Sequence, residues 1–169
     1  AGREGLEYAA SKNMGLVIME PLRGGRLAEQ IPDKVQSIWD SAPVKRSPSE
    51  WALRWVWNHP EVSTVLSGMN SMAHLQENLR IAEEGRANSL SSNDLALIDQ
   101  VTETYQEMFP LDCTACSYCL PCPQGVNIPH NFRLYNDLHV FEDPEINFVL
   151  YNQMTSPAQR ASNCAECGE

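Results

Sequence analysis

Six cysteines constrain this chain more than any other feature, because all of them fall in its last third at metal-ligand spacing. Four make one run, Cys113-Thr-Ala-Cys116-Ser-Tyr-Cys119-Leu-Pro-Cys122-Pro123, and two form Cys164-Ala-Glu-Cys167. Thiols two residues apart on a tight loop can point at one centre, and a cysteine followed by proline sends its own thiol elsewhere. That is the ligation logic of bacterial-type 4Fe–4S clusters. Structural zinc also takes Cys-x2-Cys pairs, but a four-cysteine zinc site usually separates its two pairs by a dozen or more residues. Disulfides would staple little, since no cysteine precedes Cys113.

A chain of 169 residues suffices for one ordinary domain, or for a domain with a small appendage. A hydrophobic fraction of 43% with 20% charged residues is globular in character. No stretch approaches the ~20 apolar residues that cross a bilayer, so no membrane partner is expected. The formal charge of −10 argues against a nucleic-acid partner, because no basic stripe offsets phosphate repulsion. Unpaired cysteines without an apolar leader segment point to a reducing cytoplasm. The start, Ala1-Gly-Arg-Glu-Gly, reads as the interior of a helix. The stop at Glu169 falls inside a second cysteine run, so a fragment of something longer is expected.

The composition changes near Phe109-Pro110-Leu111, which predicts two domains, residues 1–108 and 109–169. The first alternates helix and strand signals. A helix over Arg3 to Lys12 is closed by Gly15, and Leu16-Val-Ile-Met19 reads as a strand apolar on both faces, as in a helix-covered parallel sheet. Ser47-Pro-Ser-Glu50 is a capping box opening a helix to Asn58. Its apolar face is Trp51, Leu53, Trp55 and Val56, and its tryptophans, Trp57 included, read as core packing. Val62 to Leu66 reads as a second strand. Met72 to Glu84 reads as a helix with Met72, Leu75, Leu79 and Ala82 on one stripe and Gly85 at its end. Ser91 or Ser92 caps a further helix. Two strands each followed by loop and helix are β/α units, too few to close a barrel alone.

Two loops are candidate ligand sites. Pro21-Leu-Arg-Gly-Gly25 follows the first strand, where backbone N–H groups suit a diphosphate, although glycines there also serve a plain turn. Gly68, Met69, Asn70 and Ser71 precede a helix on which His74, Glu77 and Asn78 share the first two turns. From the residues alone, capping by Asn70 or Ser71 with a solvated remainder is the favoured account of that group. His59, His130 and His139 have no partner at a recognisable spacing.

Taken together, Leu16-Val-Ile-Met-Glu-Pro-Leu-Arg-Gly-Gly-Arg-Leu27, Ser47-Pro-Ser-Glu-Trp-Ala-Leu-Arg-Trp-Val56, Thr64-Val-Leu-Ser-Gly-Met-Asn70 and His74-Leu-Gln-Glu-Asn-Leu79 resemble the last strands and helices of the aldo/keto reductase family. Cys113 through Pro129 resembles the ferredoxin-like extension of one branch of it. The fold this implies is α/β, the C-terminal part of a (β/α)8 TIM-type barrel followed by a small ferredoxin-like helical and loop iron–sulfur module. The implied function is an oxidoreductase moving hydride between NADP or NAD and a small carbonyl-type substrate, with clusters passing electrons to a redox protein. The alternative is a zinc-stabilised interaction module on a catalytically inactive barrel.

By the same resemblance Pro21, Leu22, Gly24 and Gly25 would lie along the cofactor pyrophosphate. Gly68, Met69, Asn70, His74, Glu77 and Asn78 would surround the adenosine end, with Glu77 and Asn78 facing adenine. Many NADP-preferring members carry Lys or Arg where this chain has Gly68, Met69, Asn70 and His74, and a neutral pocket holds a 2′-phosphate poorly. Cys113, Cys116 and Cys119 would hold one cluster, with its fourth ligand beyond Glu169. Cys122 would join Cys164 and Cys167 at a second, although two residues separate Cys119 from Cys122 where the usual run has three. The family's Asp, Tyr, Lys and His tetrad has no counterpart here, since Tyr8, Tyr105, Tyr118, Tyr135 and Tyr151 occupy no matching position. No catalytic residue is therefore assigned, and no carbonyl reductase activity is expected of the 169-residue chain.

Overall fold

The computed structural model describes residues 2–168; Ala1 and Glu169, on which the readings of the chain's start and stop rest, lie outside the described residues. The chain divides into two compact units, Ala1–Thr102 and Glu103–Glu169.

The first unit opens with α1, Gly2–Ser11. Its C-terminus is turned by Asn13 at φ 56°, with the Asn13 N–H on the Ala10 carbonyl and the Met14 N–H on the Ala9 carbonyl. A short amide side chain tolerates this left-handed geometry, so Gly15 is not the closing residue. Gly15 instead leads into β1, where the Leu16 N–H donates to Ser63 Oγ at 3.1 Å.

Strand β1 (Val17–Ile18) pairs in parallel with β2 (Thr64–Val65), Val17 opposite Thr64 and Ile18 opposite Val65. Both are shorter than the apolar runs suggested, since Glu20 at φ 51° already bends the chain out of the ladder. These are the strands found among the described residues, and Val17, Met19 and Leu66 are 55%, 72% and 47% exposed. The expected strand apolar on both faces is present, but the described residues leave it half covered.

Three helices lie between the strands: α2 (Arg26–Glu29), α3 (Asp33–Ser41) and α4 (Pro48–Trp57). Ser47 caps α4 as its sequence predicts, accepting the Glu50 N–H at 3.0 Å with Pro48 in the first turn. The Glu50 carboxylate does not complete the box. It is buried, and takes Arg54 Nε at 2.8 Å and Arg80 Nη2 at 2.7 Å, with Arg46 Nε at 3.9 Å. Burial raises its pKa, but the hydrogen bonds and charges of Arg80 and Arg54 outweigh that and hold it below the usual carboxylate value.

The core of this unit is Val35 and Trp39 from α3, Trp51, Leu53 and Val56 from α4, and Ile81. Trp39 and Trp51 stack at 5.1 Å between centroids, and the Arg46 guanidinium lies 4.4 Å from the Trp51 ring. Trp55 is not core; it faces solvent with its ring edge-on to His59.

Helix α5 has the predicted bounds, Met72–Glu84, yet buries a different face. Met72, Leu75 and Leu79 are exposed, and Ile81 is the buried residue. The Arg80–Glu50 and Arg54–Glu84 ion pairs fix the reason: residues 77, 80, 81 and 84 share one edge, and those contacts turn it towards α4. Gly85 ends the helix at an ordinary φ of −65°. A Cβ there would sit 2.8 Å from Trp57 Cε3, so close approach requires the glycine. Helix α6, Ser92–Glu107, starts with a reciprocal box between Ser91 and Asp94. Asp94 also accepts Arg46 Nη1 at 2.9 Å.

The second unit is built on α7 (Ile128–Phe141) and α8 (Pro144–Val149), followed by a π-type turn at Leu150–Met154 and short 3-10 turns at Pro157–Gln159 and Ala161–Asn163. Its core is Val126, Leu134, Val140 and Phe141, with the Tyr105 ring 5.9 Å from Phe141. An apolar cleft of about 750 Å³ runs past Phe132, Leu138, Phe148 and Tyr151. Among the described residues no helix is long and apolar enough to cross a membrane.

Candidate functional site

Because β1 and β2 are parallel, the loops leaving them emerge at the same edge of the sheet. The loop after β1 is wound tightly, with Glu20, Arg23, Gly24 and Gly25 all at positive φ. Gly25 reaches 95°, where only glycine is at ease. The N–H groups of Arg23 and Gly25 donate to the Glu20 and Leu22 carbonyls, so two of this loop's backbone donors close the turn. Pro21 and Leu22 are half-buried and Gly24 is exposed.

The loop after β2 carries Gly68, Met69 and Asn70, all exposed. Ser71 is the cap of α5, accepting the His74 N–H at 3.2 Å, which settles the capping role between Asn70 and Ser71. Past the cap, His74, Glu77 and Asn78 are half-buried. Ser47 donates its hydroxyl to Glu77 Oε1 at 2.6 Å, and Asn78 Nδ2 donates to Ser67 Oγ at 3.0 Å. His74 Nε2 lies 3.8 Å from Glu29 Oε1. One ledge thus gathers side chains from α2, the start of α4, the β2 loop and α5. Ser47 and Ser67 were invisible as site residues in the sequence, where Ser47 signals only a helix start.

The cysteine segments are exposed except at Cys122, which is half-buried. Left-handed residues punctuate them: Ala115 (φ 53°) and Ser117 (φ 64°) in the first, Glu166 (φ 52°) in the second. The Tyr118 N–H, the Thr114 hydroxyl and the Cys116 N–H all lower the Cys116 thiol pKa below its usual value, and the Glu166 N–H donates to Cys164 Sγ at 3.4 Å. Amides turned onto sulfur suit thiolate ligands. Even so, among the described residues no three His, Cys, Asp or Glu side chains are gathered closely enough to hold a metal ion.

Two buried asparagines of α7, missed in the sequence, set these segments. Asn136 accepts the Leu111 N–H at 3.1 Å and donates to the Leu111 carbonyl at 2.8 Å, two residues before Cys113. Asn131 donates to the Gln159 carbonyl at 2.9 Å and accepts the Ala161 N–H at 3.1 Å, three residues before Cys164. Gly125, just past Cys122, packs so closely that a Cβ would lie 3.4 Å from the Ala158 carbonyl oxygen. The available signal was the amide itself, a fully hydrogen-bonding side chain on a helix face that otherwise buries Leu134 and Val140. His130, read from sequence as partnerless, has Nε2 2.8 Å from Thr155 Oγ1.

The aldo/keto reductase family model matches residues 2–103. No curated protein and no solved structure matches the chain. The chain belongs to the aldo/keto reductase family, a family of (β/α)8-barrel oxidoreductases that typically use NAD(P)H. Of that barrel the described residues hold two parallel strands and their flanking helices.

Proposed function

We propose that this member of the aldo/keto reductase family carries the adenosine-binding part of a nicotinamide cofactor site, joined to a cysteine unit that binds 4Fe–4S clusters. The observation that carries the reading is the Glu77–Asn78 pair. These residues match the family's adenine-facing positions, and each is fixed by a serine beside the carboxyl end of the sheet. Ligands of parallel α/β folds bind at that edge. In this reading Gly68, Met69, Asn70 and His74 flank the adenosine, and the Pro21 to Gly25 loop approaches the diphosphate. The parent activity is hydride transfer to a small carbonyl-type substrate in the cytoplasm.

The donor set of the second unit is all thiol, which suits iron–sulfur ligation, and its supply to a site is one-electron transfer. Support comes from α7, which ties down the backbone beside both cysteine segments through Asn131 and Asn136. Cys113, Cys116 and Cys119 serve one cluster, and Cys122, Cys164 and Cys167 the other. Iron, acid-labile sulfide and zinc are to be measured on anaerobically purified protein. Equal iron and sulfide, with a visible absorbance that bleaches reversibly on reduction, is the expected result. Zinc without sulfide would instead make the second unit a structural clip.

A further inference from the structure

We propose that the apolar cleft of the second unit is a ligand site for a neutral aromatic molecule bearing a single O–H or N–H donor, which Asn147 Oδ1 accepts. The proposal is independent of the cofactor and cluster readings. The cleft, about 750 Å³, is lined by residues between Leu111 and Cys164 and falls in the size range of small-molecule sites. Val126 and Leu134, both buried, belong to its lining together with four aromatic rings. Three of these, Phe132, Tyr135 and Phe148, are left 40%, 46% and 62% exposed. Such rings are covered best by another aromatic ring, in edge-to-face or offset contact. No Asp, Glu, Lys, Arg or His is among the described lining residues. On a chain of net charge −10 that leaves nothing in the cleft to hold a phosphate or a carboxylate, so the ligand is neutral.

Three asparagines contribute to the lining, and they differ in what their amides do. The Asn131 amide is spent on backbone groups, donating to the Asn127 and Gln159 carbonyls and accepting the Ala161 N–H. Asn152 is exposed, so water serves it. Asn147 is 7% exposed, and its Nδ2 donates to the Asp143 carbonyl at 2.8 Å. Its Oδ1 is buried with no hydrogen-bond partner among the described residues. A carbonyl accepts only a donor, so the Asp143 contact fixes which way this amide faces. The fold does not depend on that contact, because the Asp143 carbonyl also takes the Asn147 backbone N–H at 3.3 Å. A buried acceptor left unpaired costs stability, and in a cleft open to a ligand a single donor offsets that cost.

The test is calorimetric titration of the full chain with 4-propylphenol and with 4-propylanisole, in which a methyl group replaces the hydroxyl proton. The native chain is expected to bind the phenol about tenfold more tightly, the factor that one buried hydrogen bond brings. Asn147→Leu nearly keeps the volume, removes the acceptor and leaves the Asp143 carbonyl paired with backbone, so its ratio should fall to about one. Leu138→Trp puts a larger ring into the cleft and should abolish binding of both, with circular dichroism showing that the helices persist. The comparison on the native chain needs no variant, and stands if either substitution unfolds the protein. Equal affinities on the native chain, or an undiminished phenol preference in Asn147→Leu, would overturn the role of Asn147 and the proposal with it. Binding unchanged in Leu138→Trp would place the ligand elsewhere and overturn it too. If neither probe saturates the native chain the ligand site is refuted, and a dimer that Leu138→Trp abolishes would then assign the cleft to a second copy of this chain.

Discussion

At the scale of single residues, the ledge is notable for the charge it lacks. Gly68, Met69 and Asn70 are neutral, and His74 is 3.8 Å from the Glu29 carboxylate, which would repel a 2′-phosphate. Adenosine 2′,5′-bisphosphate is therefore expected to bind the native chain no better than the 5′-monophosphate. Gly68 is the place to change this, because its φ is ordinary and a Cβ would meet nothing within 4 Å. Gly68→Lys should make the bisphosphate the tighter ligand by about tenfold at low salt, as expected for one charge-assisted contact. A native chain that already prefers the bisphosphate would refute the neutral-pocket argument. The sequence made this residue legible because glycine in place of a base is a compositional fact. It could not make Ser47 legible as a neighbour of Glu77, since nothing local links two residues 30 apart.

At the scale of elements, α4 and α5 are joined by a carboxylate as much as by apolar packing. Glu50 is 5% exposed and meets Arg54 and Arg80, so removing it takes Arg80's ion-pair partner away and leaves the largely buried Arg54 with Glu84 alone. Glu50→Ala should lower the stability of the first unit by about 3 kcal/mol, read by tryptophan fluorescence in urea. Arg80, about half exposed, will soften that loss, and adding Arg80→Ala should recover part of it. Because the Glu50 pKa is lowered in the fold, its contribution is complete above the ordinary value of 4.5 and fades as pH falls below it. Glu50→Gln should flatten that acid limb. These elements show what sequence could and could not supply. The bounds of α5 follow from a cap and a terminal glycine, which are local signals. The buried face of α5 does not, because three exposed apolar residues, Met72, Leu75 and Leu79, define its stripe while ion pairs formed across the fold choose Ile81 instead. Asn13 closing α1 in place of Gly15 is the same lesson in miniature, two residues able to occupy one backbone region. The cysteine spacing sets an expectation of metal ligation, whereas the asparagines that hold those segments bond to backbone groups of Leu111, Gln159 and Ala161 that no spacing reveals.

At the scale of the whole molecule, the chain sorts its reporters. All four tryptophans lie in the unit Ala1–Thr102, and all six cysteines in the unit Glu103–Glu169. If the thiols hold iron–sulfur clusters as proposed, stripping iron with a strong chelator should therefore lower hydrogen-exchange protection across α7, while the tryptophan-monitored urea midpoint stays unchanged. Loss of both signals together would mean that the thiols stabilise the chain as a whole. The Ser47 hydroxyl carries a last consequence. It is at once the acceptor that starts α4 and the donor that fixes Glu77, so fraying of that helix end and freedom of that carboxylate are one equilibrium. Linkage is reciprocal: whatever immobilises Glu77 must disfavour the open form of the first turn of α4, and whatever loosens that turn must weaken the hold on Glu77 by the same free energy.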